Sequence, residues 1–188
     1  MGTGPRGLPA NCLNYCLNLL QLWWQKESLV SENNPIRVFA THCFDESDDY
    51  LRVFEFLESV DGFYYLNVSK PENAPTTGGV QEVKDELIAQ IKLAEAVIVL
   101  TLAYEKNADL VNFMVDVAEA NKIGMIGIRP FGATMETPAE LAGRCSEIVE
   151  WNNREIADAL RRQARGEDTA RWEVIDFPGF DENGPIEE

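Results

Sequence analysis

The chain holds a single histidine, His42, among its 188 residues. Its four cysteines, Cys12, Cys16, Cys43 and Cys145, include no CxxC pair. A zinc site therefore lacks well-spaced ligands, and free thiols in a reducing compartment are expected. Basic residues are also scarce: 16 Lys and Arg face 32 Asp and Glu, a formal net charge of −16. Polyphosphate backbones repel such a chain, which argues against bulk nucleic-acid binding but leaves room for one nucleotide in a locally positive pocket. The longest apolar run near the start, "CLNLLQLWW", is broken by Asn18 and Gln21, and it falls well short of the roughly 20 residues of a membrane span. It has no basic flank or small-residue cleavage site, and Arg6 stands where a myristoylation signal needs Ser or Thr. A cytoplasmic protein with no membrane partner is expected. No Walker loop and no GxGxxG stretch occurs.

What is there has a globular composition, with 45% hydrophobic and 26% charged residues, in a length suited to one domain with its own core. Three regions separate. Residues 1–35 form an N-terminal extension in which Leu13, Leu17, Leu20 and Trp24 recur at helical spacing. That stripe packs on the parent domain or serves as a partner or oligomer interface. Residues 166–188 hold eight acidic residues against one arginine, with Gly and Pro between them, and are expected to form a mostly mobile acidic tail.

Between them, residues 36–165 alternate short apolar runs with amphipathic stretches. The runs are "IRVFAT", "FYYLNV", "AVIVLTL", "IGMIGIR" and a weak "EIVEW"; helical patterns cover 48–59, 80–93, 109–121, 136–143 and 153–165. Strands alternating with helices predict a three-layer α/β sandwich around a five-stranded parallel sheet, of flavodoxin-like order 2-1-3-4-5. "AVIVLTL" reads as its central strand, buried on both faces.

Ligands of such sheets bind beyond the carboxyl ends of the strands, where the strand order reverses. That selects the loops "THCFDESDD" and "AYEKNADL". His42 and Cys43 lie side by side in the first, but adjacent residues at a strand end tend to face opposite ways, so a structural or ligand-contacting histidine is favoured over a catalytic pair. Phe44 offers a ring for a base or for the core. The long connection "VSKPENAPTTGGV" places "TTGG" before a helix, where backbone N–H groups favour a phosphate, with Lys70 nearby; ordinary capping competes with that reading. Two functions fail on the residues. A phospho-receiver needs an Asp ending the third strand and a Lys ending the fifth, where "VLTLAY" and "EWNN" stand. A flavodoxin needs an uncharged phosphate loop where "THCFDESDD" stands.

Taken together, "VFATHCFDESDDY", "VSKPENAP", "AVIVLTLAY", "IGIRPFG" and "EIVEWNNREIADALR" resemble, in order and spacing over about residues 36–165, the TIR-like domain of the Thoeris B family. The resemblance implies a bacterial antiphage protein. Some members of that family use NAD to make a cyclic ADP-ribose-type signal for a separate effector protein. Breaking the nicotinamide–ribose bond passes through an oxocarbenium-like state that a carboxylate stabilises. In the enzyme members that carboxylate is a Glu in a stretch like "W-I-x-F-E-I-x-x-A". Laid over "LVNFMVDVA", the Trp position falls on Leu110 and the Glu position on Met114.

Wound at 100° per residue, Leu110, Val111, Met114, Val117 and Ala118 share the inner face of that helix, and Asp116 and Glu119 point away. The inward charge is thus missing where the resemblance expects it. Three functions follow. Met114 favours a silent module that binds NAD or a derived nucleotide. An active NAD glycohydrolase or cyclase would need another carboxylate, for which Glu105, or Asp45 and Asp48 opposite, are the candidates. An assembly adaptor would work through the stripe and the tail. The expected pocket gathers His42, Phe44, Asp45, Lys70, Tyr104 and Glu105. No metal or tightly held cofactor is expected; NAD enters as substrate or ligand, and a homo-oligomer stays open.

Overall fold

The computed structural model describes residues 30–169; the leucine stripe and all but the first residues of the acidic tail lie outside the described residues. Five strands form one all-parallel sheet: β1 (Ile36–Ala40), β2 (Tyr65–Asn67), β3 (Ala96–Leu100), β4 (Gly124–Ile128) and β5 (Glu147–Val149). Their order is 2-1-3-4-5, as the periodicity predicts. Registers run Val38 beside Ala96, Ile98 beside Ile126, and Ile128 beside Val149.

Six helices connect and cover the sheet among the described residues: α1 (Asp48–Glu58), α2 (Gly79–Ile91), α3 (Thr101–Lys106), α4 (Ala108–Ala120), α5 (Ala139–Ala142) and α6 (Asn153–Arg165). α2 packs against α4, and α1 against α6, which gives the three layers of a doubly wound fold. All five residues of β3 are buried, as expected of a strand covered on both faces. All five strands are shorter than their apolar runs, and two of the differences bear on the site. β2 is an edge strand of three residues whose Leu66 is exposed. β3 stops at Leu100, and "TLAYEK" forms α3, an unexpected helix. Thr101 turns inward there, sharing a hydrogen bond of 3.0 Å with Thr137 across the buried layer.

The motifs behind the family resemblance hold loops to this frame. Ser47 caps α1, accepting from the Tyr50 N–H. Asp49, buried, accepts from the Phe131 N–H at 3.4 Å, and burial pushes its carboxyl above the usual range. The Tyr50 hydroxyl accepts from Asn67 Nδ2 and lies 3.0 Å from Ser69 Oγ. Trp151 Nε1 donates to the Arg129 carbonyl at 2.7 Å, and Asn152 caps α6 through two backbone N–H groups.

Candidate functional site

At the carboxyl ends of β1 and β3 lies a cleft of about 930 Å³, between the N-terminal turns of α2 and α4. This is the switch point at which open α/β sheets take ligands. One wall is Pro75, Thr76, Thr77 and Gly78, continuing into Val80, Val83 and Lys84 of α2; the other is Asn107, Asp109, Leu110 and Phe113. Phe44 and Cys43 close the inner end. Phe44 and Phe113 are half-buried and contribute the aromatic part of the lining. Lys84 is the single Lys or Arg of the lining, and its ammonium lies 5.1 Å from the Phe113 ring centroid. Spacing explains the walls: Val80, Val83 and Lys84 share one face of α2, as Leu110 and Phe113 do on α4.

The backbone has positive φ at three points of this lining, Gly79 at φ +68° among them. Gly78 caps α2 at φ +86°, and Phe44 sits at φ +56°, in the left-handed region that a side chain rarely adopts. A Cβ at Gly78 would run into the Glu82 carboxylate, which folds back over the start of α2 beside the Thr77 hydroxyl. An intramolecular anion thus already attends the helix N-terminus where the sequence suggests a phosphate.

A smaller cavity of about 460 Å³ opens on the other side of the loop after β1, lined by His42, Cys43, Asp45, Ser47, Leu102, Ala103, Glu105 and Lys106. Its charges are largely consumed internally. Lys106 Nζ donates to Asp45 Oδ2 at 2.6 Å. His42 is only 2% exposed. Its Nδ1 accepts the Phe44 N–H at 3.2 Å, and its Nε2 lies 3.2 Å from Gln90 Oε1. Burial holds its pKa below the ordinary histidine value despite the Gln90 hydrogen bond.

Among the described residues, neither thiol pairs with this imidazole. Cys43 Sγ donates to the Ala103 carbonyl at 3.6 Å, and burial raises its pKa. Cys145 is pushed up to about 11, again by burial. Both are free thiols held protonated, so neither is an activated nucleophile.

The sequence-derived pocket therefore divides. Only Phe44 reaches the large cleft. His42, Asp45 and Glu105 meet in the smaller cavity, and Lys70 and half-buried Tyr104 line neither. The Lys70 side chain is exposed, while its peptide is clasped by the Gln90 amide, N–H to Oε1 at 2.8 Å and Nε2 to the carbonyl at 3.3 Å. Sequence reading missed Lys84, Asp109 and Phe113, although their helical spacing from Val80 and Leu110 was visible. Met114 is wholly buried one turn beyond Leu110. Asp116 and Glu119, outward as expected, both bind Arg144, at 2.5 and 2.7 Å. Val115 is fully buried where the helical wheel did not include it, whereas Leu110 and Val117 are only half-buried. α4 is therefore rotated toward Val115, and Leu110 is left at the cleft.

Among the described residues no group of three or more His, Cys, Asp or Glu is placed to hold a metal ion, and no helix is long and apolar enough to cross a membrane. No protein-family model and no curated protein matches the chain.

Proposed function

We propose that this protein is a TIR-like nucleotide-signalling protein of the bacterial antiphage type, resembling the Thoeris B family, which binds NAD or a derived nucleotide without splitting it. The observation that carries this reading is the cleft at the β1/β3 switch point, with rings from Phe44 and Phe113 in its walls and a buried thioether, Met114, where the enzymes of that family have a carboxylate. A base or nicotinamide ring would stack on these aromatic faces, a contact worth about 1–3 kcal/mol per base. Lys84 would meet the pyrophosphate, supplying local positive charge in a chain of net charge −16. Met114 can offer no anion to a ribosyl cation, and losing one such electrostatic group typically costs about 10²- to 10³-fold in rate. Binding would then be passed on to a separate effector protein.

One observation favours a second reading. Asp109, on the first turn of α4, is the carboxylate of the cleft lining, whereas Glu105 lines the smaller cavity. If the protein is an NAD glycohydrolase or cyclase, Asp109 is the residue to carry the chemistry. Calorimetric titration with NAD and ADP-ribose, together with chromatography for nicotinamide over hours, separates the readings. Saturable binding without nicotinamide is the expected result. Absence of binding at millimolar nucleotide would overturn the nucleotide reading, and nicotinamide release abolished in Asp109→Asn would establish the enzyme.

A further inference from the structure

We propose that His42 is a positioning residue for the cleft: its neutral Nε2–H imidazole, oriented by Gln90, holds the Phe44 backbone in the left-handed conformation that sets the Phe44 ring in the cleft wall. Only the affinity arm of its test rests on the nucleotide reading.

The network leaves one arrangement of protons. Gln90 is 3% exposed and lies on α2. Its Nε2 donates to Glu86 Oε1 at 2.8 Å and to the Lys70 carbonyl, while its Oε1 accepts the Lys70 N–H. Turning the amide over would set its NH2 against that N–H and its oxygen against two acceptors. Oε1 is therefore the atom that faces His42 Nε2, and Nε2 must carry a proton to bond it. Nδ1 faces the Phe44 N–H and must be bare to accept it. Both ring nitrogens thus specify the same tautomer through independent partners.

The consequence runs into the cleft. Phe44 is one of two non-glycine residues with positive φ among the described residues. Such a conformation persists only where its surroundings over-determine it. The His42 acceptor supplies the hydrogen bond, and the imidazole meets the Phe44 ring edge-on, with centroids 5.2 Å apart. Phe39 at 5.5 Å and Tyr50 at 6.2 Å pack on the imidazole from β1 and α1. Gln90 thereby joins the loops after β1 and β2 to α2, and those three segments carry most of the cleft. His42 does not line that cleft, so its effect on a ligand passes through Phe44.

A chain with one histidine makes the test direct. Long-range 1H–15N spectra of histidine-labelled protein, purified without a histidine tag, contain one imidazole, expected as Nε2–H with bare Nδ1. The Phe44 amide is expected to exchange slowly. His42→Phe keeps a ring but removes the acceptor, and should speed that exchange and weaken NAD binding by about tenfold each, the worth of one hydrogen bond. His42→Asn, whose Oδ1 stands near the place of Nδ1, should restore both. An Nδ1–H tautomer, or Phe44 exchange unchanged in His42→Phe, would overturn the proposal. Should His42→Phe fail to fold, Gln90→Met serves instead: the Phe44 N–H still selects bare Nδ1, but an imidazole without its Gln90 anchor should hold that N–H less well and quicken its exchange, and unchanged Phe44 exchange there overturns the role given to Gln90. Tautomer and exchange are read without nucleotide, so a wild-type protein that passes both yet ignores NAD sinks the proposed function and leaves the positioning role standing.

Discussion

Two cavities flank the loop after β1, and they divide the molecule's resources unequally. The smaller collects the groups that look chemical in the sequence, His42, Cys43, Asp45 and Glu105, yet Lys106 pairs with Asp45 and the two His42 nitrogens are spent on Gln90 and Phe44. The larger has few titratable groups, and its walls are rings, small residues and two helix starts. The difference teaches that a cluster of ionisable residues at a strand end can be scaffolding for an adjacent, less charged surface. Coupling between the two passes through Phe44, which is fixed from one side and faces the other.

The largest test of this contrast is Met114→Glu, which puts a carboxylate where the proposed resemblance to the Thoeris B family would have one. Met114 is fully buried, so the charge would be driven into the core at a cost of about 3 kcal/mol or more. Urea unfolding should show that loss at neutral pH. A buried Glu has its folded pKa raised above the unfolded value near 4.3, so the penalty should fade below about pH 4 and grow as pH rises. A variant as stable as the parent would mean that the α4 face opens into the cleft after all.

Binding comes next. Phe113→Ala should weaken NAD binding by about 1–3 kcal/mol, while Glu105→Gln, on the other cavity, should leave it unchanged. The reverse ranking would move the site to the smaller cavity. Lys84→Ala should reduce affinity by several-fold and flatten its salt dependence, because a single half-buried cation at an open cleft acts through a screened field; an unaltered salt slope would remove Lys84 from the proposed pyrophosphate contact.

The smallest effect is on acid stability. His42 has its folded pKa held below the ordinary 6.5 by burial, so the unfolded chain binds its proton more readily. Its contribution is complete above pH 6.5 and is lost as pH falls below it, at no more than about 1.4 kcal/mol per pH unit. His42→Asn should flatten the stability curve between pH 7 and 5.5, where no other histidine titrates. A rise of stability with pH that survives the substitution would overturn this assignment, since Asp49, whose pKa burial raises, contributes the opposite slope and loses stability as pH rises.

The sheet was legible because its signal is local: "AVIVLTL" and "IGMIGIR" are apolar wherever they fold, and alternation with amphipathic helices restricts them to a parallel order. α3 escaped notice because six residues that begin with Thr and Leu continue the apolar run of β3, and only the buried Thr101–Thr137 contact marks the change. Of the site, the switch point and "TTGG" were legible, but Lys84 and Phe113 were not. Their spacing was visible, but nothing in it said which face of α2 would meet which face of α4. Lys70 is near "TTGG" in sequence, yet its exposed side chain lines neither cavity, because Gln90 clasps its peptide and not its ammonium.

By itself the sequence determined the α/β class, the strand order, the outward turn of Asp116 and Glu119, and the absence of a carboxylate at Met114, because periodicity and residue identity are properties of the chain. Only the tertiary structure decided which of the two cavities received His42, Asp45 and Glu105 and which received Phe44, Lys84 and Asp109. The division depends on the direction of Cβ vectors at the ends of β1 and β3, on the left-handed turn at Phe44, and on a glutamine 48 residues from His42 in the chain. Those are contacts between segments, and no local pattern encodes them.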